Sequence, residues 1–115
     1  MIVKQALLPS RVVYKGSKRV PEGTLLGYKN GQWVLADNKL GIPAERILMS
    51  VGDPDLEVPV CIGVVLVCED FEAMPDGKVV VCGEEGKMEY LDAPDDRKVL
   101  GRVDMPGQAT IMTWY

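Results

Sequence analysis

The sequence predicts a mainly β protein, folded as a small β-barrel or sandwich. The chain has 115 residues, of which 47% are hydrophobic, so it can form the core of a single domain. It contains 12 glycines and 8 prolines, more than a helical bundle usually holds. A pattern of turns and strands also occurs twice along the chain. Together these features predict two pseudo-repeated strand-hairpin-strand units with about seven or eight short strands.

The two copies lie at about 20–67 and 74–111, inside a single domain at 20–115. Each opens on an apolar residue, proline, an acidic residue and glycine: Val20-Pro-Glu-Gly23 in the first copy and Met74-Pro-Asp-Gly77 in the second. Proline presets φ and glycine accepts a positive φ, so each motif predicts a turn that leads into a strand. A shortened third start follows at Met105-Pro-Gly107.

A hairpin follows each of the first two turns. Short runs rich in β-forming residues, at 24–28 and 78–82, predict the first strand of each hairpin. The dipeptide Asn30-Gly31 is a strong hairpin signal, and 83–86 predicts a looser loop in the second copy.

The second strands of the hairpins show alternating hydrophobicity. This alternation places Trp33 with Leu35 in the first copy, and Met88 with Tyr90 in the second, on one buried face. The two hairpins are therefore predicted to share one design, each with one buried face.

Third strands at 62–67 and 100–103 complete the two copies. Both are apolar enough to lie centrally in a sheet. Gly63 and Gly101, at matching places, indicate a bulge or a close approach of the backbone.

An insertion at 38–59 separates the hairpin from the third strand in the first copy. One or two helical turns are predicted within it at 43–49, and a second short helix is predicted at 69–73, where acids favour a helix N-terminus. Helix is expected to be a minor state.

The first nineteen residues form a predicted basic N-terminal arm. They hold five bases and no acid, whereas 20–115 hold eight bases and all seventeen acids. An arm of this charge is attracted to acidic surfaces, and 11–14 can add a strand to a sheet edge; the alternative is a solvated tail. The C-terminal aromatic pair is predicted either to close the barrel or to dock on a neighbouring subunit. The residues predicted to contact a capsid or a neighbouring subunit are Lys4, Arg11, Val12, Val13, Tyr14, Lys15, Lys18, Arg19, Trp114 and Tyr115.

The composition argues against catalysis. The chain has no histidine, which removes the commonest general base and the commonest transition-metal ligand. Cys61, Cys68 and Cys82 lack zinc-site spacing and are predicted to be buried thiols in a reducing cytoplasm. The carboxylate clusters match no calcium loop, and no phosphate-binding motif is present. We therefore expect no enzymatic activity, cofactor or metal, and neither a nucleic-acid nor a membrane partner.

The turn motifs with a proline and a glycine, together with Ile62-Gly-Val-Val65 and Leu100-Gly-Arg-Val103, give the chain a resemblance to a known family. It resembles the capsid decoration, or cement, proteins of tailed bacteriophages. The resemblance implies a non-enzymatic structural protein that clamps the outside of a capsid. It also implies the major capsid protein as partner, a homo-oligomer with a trimer favoured, and a place on the virion exterior after assembly in the host cytoplasm.

A second hypothesis comes from a different class. In it, the chain is a small β-barrel that binds a ligand or assists an enzyme, and the insertion at 38–59 overhangs a pocket.

Overall fold

The computed structural model describes residues 2–69, 72 and 74–113. These residues form eleven strands and no helix. The strands are β1 (Ile2–Leu7), β2 (Ser10–Val13), β3 (Leu25–Lys29), β4 (Gln32–Leu35), β5 (Arg46–Leu48), β6 (Glu57–Cys61), β7 (Gly63–Val67), β8 (Val79–Cys82), β9 (Met88–Leu91), β10 (Gly101–Met105) and β11 (Gln108–Met112). In this part of the chain, therefore, no helix is available to cross a membrane.

Two antiparallel sheets contain all eleven strands. Sheet A has six strands in the order β1-β7-β11-β10-β8-β9, and sheet B has five in the order β2-β6-β5-β3-β4. The main core lies between the sheets, because side chains such as Leu25 and Ile47 from sheet B pack with Leu66, Val80 and Ile111 from sheet A. The mainly β prediction is confirmed.

Sheet B is buried on its other face as well. Leu26, Leu48 and Val60 alternate with residues of the main core and form a second cluster with the fully buried Tyr14. Sheet B curls around this cluster. Its two edge strands approach each other, since Tyr14, just after β2, forms an isolated parallel bridge with Trp33 of β4. The molecule is thus a pair of packed sheets and not the closed barrel that was one of the two predicted forms.

The predicted strand-opening turns are confirmed. Gly23, Gly77 and Gly107 have φ of 86°, 80° and 81°, the left-handed region in which glycine has no Cβ penalty. Asn30 and Gly31 also have positive φ, 52° and 76°, as a type I′ hairpin turn requires.

Both predicted hairpins form, but they lie in different sheets. The first is β3–β4 in sheet B and the second is β8–β9 in sheet A. The third strands are central as predicted, because β7 lies between β1 and β11, and β10 lies between β11 and β8. The close approach predicted at Gly101 is confirmed, since a Cβ there would collide with the carbonyl oxygen of Thr110.

The helix predicted at 43–49 is wrong. Residues 46–48 form β5, which pairs with β3 on one side and β6 on the other. Ile47 and Leu48 are both fully buried but point into different cores, an arrangement that a strand provides and a one-sided helix does not. The second predicted helix falls largely on Asp70, Phe71 and Ala73, which lie outside the described residues.

The extended N-terminal arm is also not seen. β1 pairs along its length with β7 in sheet A, and β2 pairs with β6 in sheet B. Val3 and Ala6 pack against the main core, so the hydrophobic effect holds this segment on the domain despite its positive charge.

Candidate functional site

Four of the five bases near the N-terminus form ion pairs with acids of the same chain. Arg11 lies 3.0 Å from Glu57 and Lys15 lies 3.1 Å from Asp55. Two longer pairs join Lys18 to Glu85 at 3.4 Å and Arg19 to Asp53 at 3.6 Å. The positive charge that was predicted to attract an acidic partner is therefore largely compensated by carboxylates of the chain itself.

The apolar residues of the predicted arm separate into core and surface. Tyr14 is fully buried and its hydroxyl donates a hydrogen bond to the carbonyl oxygen of Lys18 at 2.8 Å. Burial raises the pKa of this phenol. Val12 packs against the second core, whereas Val13 is exposed. Tyr14 and Val12 thus stabilise the fold, and partner contact by the other described members of the predicted set stays a prediction.

The predicted contacts at Trp114 and Tyr115 lie outside the described residues. The preceding residue, Thr113, is buried and held on several sides.

A surface of nine aligned positions without charge lies on the outer face of β1, β7 and β11, and the exposed Lys4 lies beside it in the bulge of β1 between Val3 and Gln5. Cross-strand pairing aligns its residues in three rows: Ile2 with Val67 and Gln108, Gln5 with Val65 and Thr110, and Leu7 with Gly63 and Met112. These nine positions, which we call the uncharged face, carry no charged side chain in a chain that is 26% charged. Depletion of charge is typical of the centre of a protein interface.

The uncharged face also exposes large apolar side chains. Ile2 is 51% exposed, Leu7 46% and Met112 38%, and the half-buried Val65 and Val67 connect them. Leu7 lies over Gly63, whose missing side chain leaves a shallow place for it. Exposed apolar side chains grouped on one face make it a candidate surface for contact with another macromolecule.

The face ends where sheet A becomes charged or covered. On β10, Arg102 pairs with Thr110, and the exposed Met105 pairs with Gln108. Asp104 lies in the bulge between them, and its carboxylate accepts a hydrogen bond from the Thr110 hydroxyl at 2.6 Å. Further along the sheet, Val79 and Val81 on the same face are fully buried. The accessible apolar surface therefore lies on β1, β7 and β11, with Met105 of β10 at its border.

Several other exposed apolar side chains of the described residues lie away from this face. Leu40 and Leu56 are 65% and 58% exposed, but both lie outside the strands. Tyr28 is exposed on β3, and its ring packs edge-on against Trp33 with centroids 5.0 Å apart.

A cleft of about 340 Å³ opens between the insertion and sheet A. It is lined by Asn38, Gly41, Ile42, Pro43, Ala44, Cys82, Arg97, Lys98 and Leu100. Residues of the insertion thus form one wall of this cleft, and a ligand-binding role for it stays a prediction.

Two polar anchors hold the walls of this cleft. The buried Asp37 accepts backbone N–H groups of Lys39 and Leu40 through Oδ1 and that of Glu85 through Oδ2, at 3.0–3.1 Å. The bond from Glu85, with smaller help from Leu40 and Lys39, lowers the pKa of the Asp37 carboxyl. The insertion is thereby tied to the loop between β8 and β9.

Arg97 forms the second anchor. Its guanidinium binds Glu89 at 2.8 Å and Asp95 at 2.6 Å and donates to the carbonyl oxygen of Cys82 at 3.2 Å. Its hydrogen bonds lower the pKa of both carboxyls. Because Arg97 already binds two carboxylates, its guanidinium stabilises the fold and is poorly placed to bind an additional anion.

The cysteines are free thiols. Cys61 and Cys82 are buried as predicted, whereas Cys68 is only half-buried. Burial raises the pKa of the Cys61 and Cys82 thiols to about 11, so neither thiol is activated for nucleophilic attack near neutral pH. Among the described residues no group of side chains is arranged to hold a metal ion.

Comparisons of the chain with family models, with curated proteins and with solved structures found no match.

Sequence reasoning missed the uncharged face. A signal was present, because the alternating outward positions of β7 are Val65 and Val67, where a strand at a solvated face normally carries polar residues. An unbroken apolar run predicts a strand that is covered on both faces. In the described chain, the outer face of β7 has no element packed over it.

Proposed function

We propose that this chain is a non-enzymatic structural protein that binds the outer surface of a viral capsid, in the manner of the decoration proteins of tailed bacteriophages. The uncharged face carries the proposal, since its nine aligned positions lack charge and its exposed Ile2, Leu7 and Met112 are suited to contact with another protein. The resemblance of the turn and strand motifs supports the choice of a capsid, with the major capsid protein as partner.

The proposed binding mode differs from electrostatic docking of a free arm. Because Arg11, Lys15, Lys18 and Arg19 are already paired with acids, their attraction for an acidic surface is weakened. Burial of Leu7, Met112 and their apolar neighbours instead supplies the affinity, at about 25 cal/mol for each Å² of apolar surface removed from water. By the same resemblance the protein acts as a homo-oligomer, with a trimer favoured, on the virion exterior.

The second candidate function is a ligand-binding or enzyme-accessory domain. The cleft beneath the insertion favours it, because about 340 Å³ is within the size range of small-molecule pockets. A saturable rise in melting temperature with one compound of a metabolite panel would favour this function over capsid binding.

Co-sedimentation with expanded capsid shells tests the first proposal. A charge placed on the uncharged face, Leu7→Glu or Met112→Glu, should weaken binding by roughly 5- to 150-fold, because an unpaired polar or charged group buried at an interface costs about 1–3 kcal/mol. Both residues are already part-exposed, so the fold should tolerate the charge.

Leu40→Glu and Leu56→Glu are matched controls, since both replace exposed leucines outside the uncharged face. They should bind the shells as the unaltered chain does. Equal binding by all four variants would show that the uncharged face is not the contact surface.

A further inference from the structure

Three side chains of sheet B, Tyr28, Trp33 and Arg46, form an aromatic-arginine cluster on the face that points away from the main core. Tyr28 lies directly opposite Trp33 in the pairing of β3 with β4, and their rings pack edge-on. Arg46 of β5 lies opposite Leu26, two residues before Tyr28 on the same face of β3. Its guanidinium carbon lies 5.3 Å from the centre of the Trp33 ring, so the two side chains make a cation–π contact.

The aromatic-arginine cluster stands on a fixed base. Trp33 packs against the second core, to which the fully buried Leu26 and Leu48 belong. Tyr28 is 50% exposed, whereas Trp33 and Arg46 are half-buried. Because the core holds the indole from below and the other two side chains contact its ring, the cluster is ordered before a partner arrives and loses little side-chain entropy on binding.

The charge of Arg46 is not matched by a carboxylate. Its Nη1 donates a hydrogen bond to the backbone carbonyl oxygen of Glu45 at 2.7 Å. Within the described part of the chain, the ion pairs of arginine involve Arg11, Arg19 and Arg97, and Arg46 is in none of them. A half-buried guanidinium has lost part of its hydration, and a neutral carbonyl uses only one of its several N–H donors. The remaining donors can bind a carboxylate in a bidentate arrangement.

The residue types of the cluster favour a protein partner. Tryptophan, tyrosine and arginine are the side chains most enriched where a few residues carry the binding energy of a protein interface. The cluster lies on the face of a sheet, and none of its three members lines the cleft beneath the insertion. Aromatic and arginine side chains also stack on nucleic-acid bases, but the chain carries 17 acids against 13 bases, and this net negative charge disfavours a polyanion.

We propose that the aromatic-arginine cluster is a second docking surface, which binds an acidic segment of another protein. Arg46 binds a carboxylate of that segment, and an apolar side chain beside the carboxylate packs on the exposed ring of Tyr28. The main core separates this surface from the uncharged face, since the two lie on the outer sides of sheets B and A. The same chain can therefore hold a capsid through sheet A and an acidic partner through sheet B, and the second contact does not depend on the first.

Nuclear magnetic resonance of the ¹⁵N-labelled chain, titrated with the capped peptide Gly-Glu-Leu-Glu-Gly, tests this inference. The indole N–H signal of Trp33 is identified by its loss in Trp33→Phe and its retention in Trp114→Phe. This signal should shift in a saturable way with the glutamate peptide. The counterpart Gly-Gln-Leu-Gln-Gly, in which each carboxylate is an amide, should bind several-fold more weakly.

Variants of Arg46 supply the second arm of the experiment. Arg46→Gln should weaken binding of the glutamate peptide about tenfold, because hydrogen bonds to a charged group are lost. Arg46→Lys keeps the charge without the planar fork and should give an intermediate affinity, which serves as the readout if Arg46→Gln fails to fold. Arg102→Gln is the matched control, since it removes an exposed arginine outside the cluster and should bind the peptide as the unaltered chain does. All three variants should still bind capsid shells.

Several results would overturn the inference. One is a Trp33 signal that the glutamate peptide does not shift, and another is equal affinity for the two peptides. A third is an affinity for the glutamate peptide that both Arg46 variants leave unchanged. A Trp33 signal that moves on dilution of the chain alone would assign the cluster to a second copy, and tighter binding of oligothymidylate than of the glutamate peptide would assign it to nucleic acid.

Discussion

At the scale of single residues, Asp37 connects parts of the chain that are distant in sequence. Its two carboxylate oxygens bind the turn at Lys39 and Leu40 and the loop at Glu85, 48 positions away. The turn contacts follow a familiar local pattern in which aspartate binds the backbone two or three residues ahead. The bond to Glu85 depends on tertiary structure, and no local signal in the sequence predicts it.

Asp37→Asn should lower the melting temperature at neutral pH, because an amide offers one acceptor oxygen where the carboxylate offers two. The folded-state pKa of Asp37 lies below its ordinary value of 3.8. Its stabilising contribution is therefore complete above that value and lost as pH falls through the folded-state pKa.

Melting curves recorded from neutral to acidic pH check this prediction. The difference in melting temperature between the unaltered chain and Asp37→Asn should narrow as the solution becomes acidic. Protonation of Glu89 and Asp95 also lowers stability, but it affects both proteins alike. A gap that is independent of pH would mean that ionised Asp37 has no part in stability.

At the scale of elements, the prediction of an extended N-terminal arm was wrong because it considered only the charge of the segment. Residues 1–19 were expected to leave the domain because they carry five bases and no acid. The structure instead places β1 in sheet A and β2 in sheet B. Deleting the segment would open an edge of each sheet, so a loss of binding after such a deletion would not identify a contact surface.

Ala6→Asp distinguishes a structural β1 from a free arm. Ala6 packs against the main core opposite Val64, so an aspartate there should cost roughly 1–3 kcal/mol of stability. Gln5→Asp, at the neighbouring outward position, should change stability by less than about 0.5 kcal/mol.

Urea unfolding of the two variants measures this difference. Equal stability of Ala6→Asp and Gln5→Asp would mean that β1 does not pack on the domain. A loss of stability in Ala6→Asp but not in Gln5→Asp would confirm the alternation of core-facing and outward positions along β1.

At the scale of the whole molecule, local signals predicted the hairpins but not their assembly. The motifs at Asn30-Gly31, Gly23 and Gly77 fix backbone conformation over a few residues, and the structure confirms them. Whether two hairpins share a sheet depends on long-range pairing. The first hairpin pairs through β3 with β5, which comes from the insertion. The second hairpin pairs through β8 with β10, its predicted third strand.

The uncharged face belongs to this same scale, because three strands distant in sequence create it. β1, β7 and β11 become neighbours only when the N-terminal segment and the chain's last strand pair on either side of β7. The outward alternation of each strand was visible in the sequence, but the continuity of the surface follows from their register.

A reconstruction of capsid shells saturated with the chain is the most direct test of capsid binding through the uncharged face. We expect density for the domain on the shell exterior, with the outer face of β1, β7 and β11 against the capsid protein and Leu7 and Met112 in the contact. Shells without added density, or a domain attached through sheet B, would contradict this account.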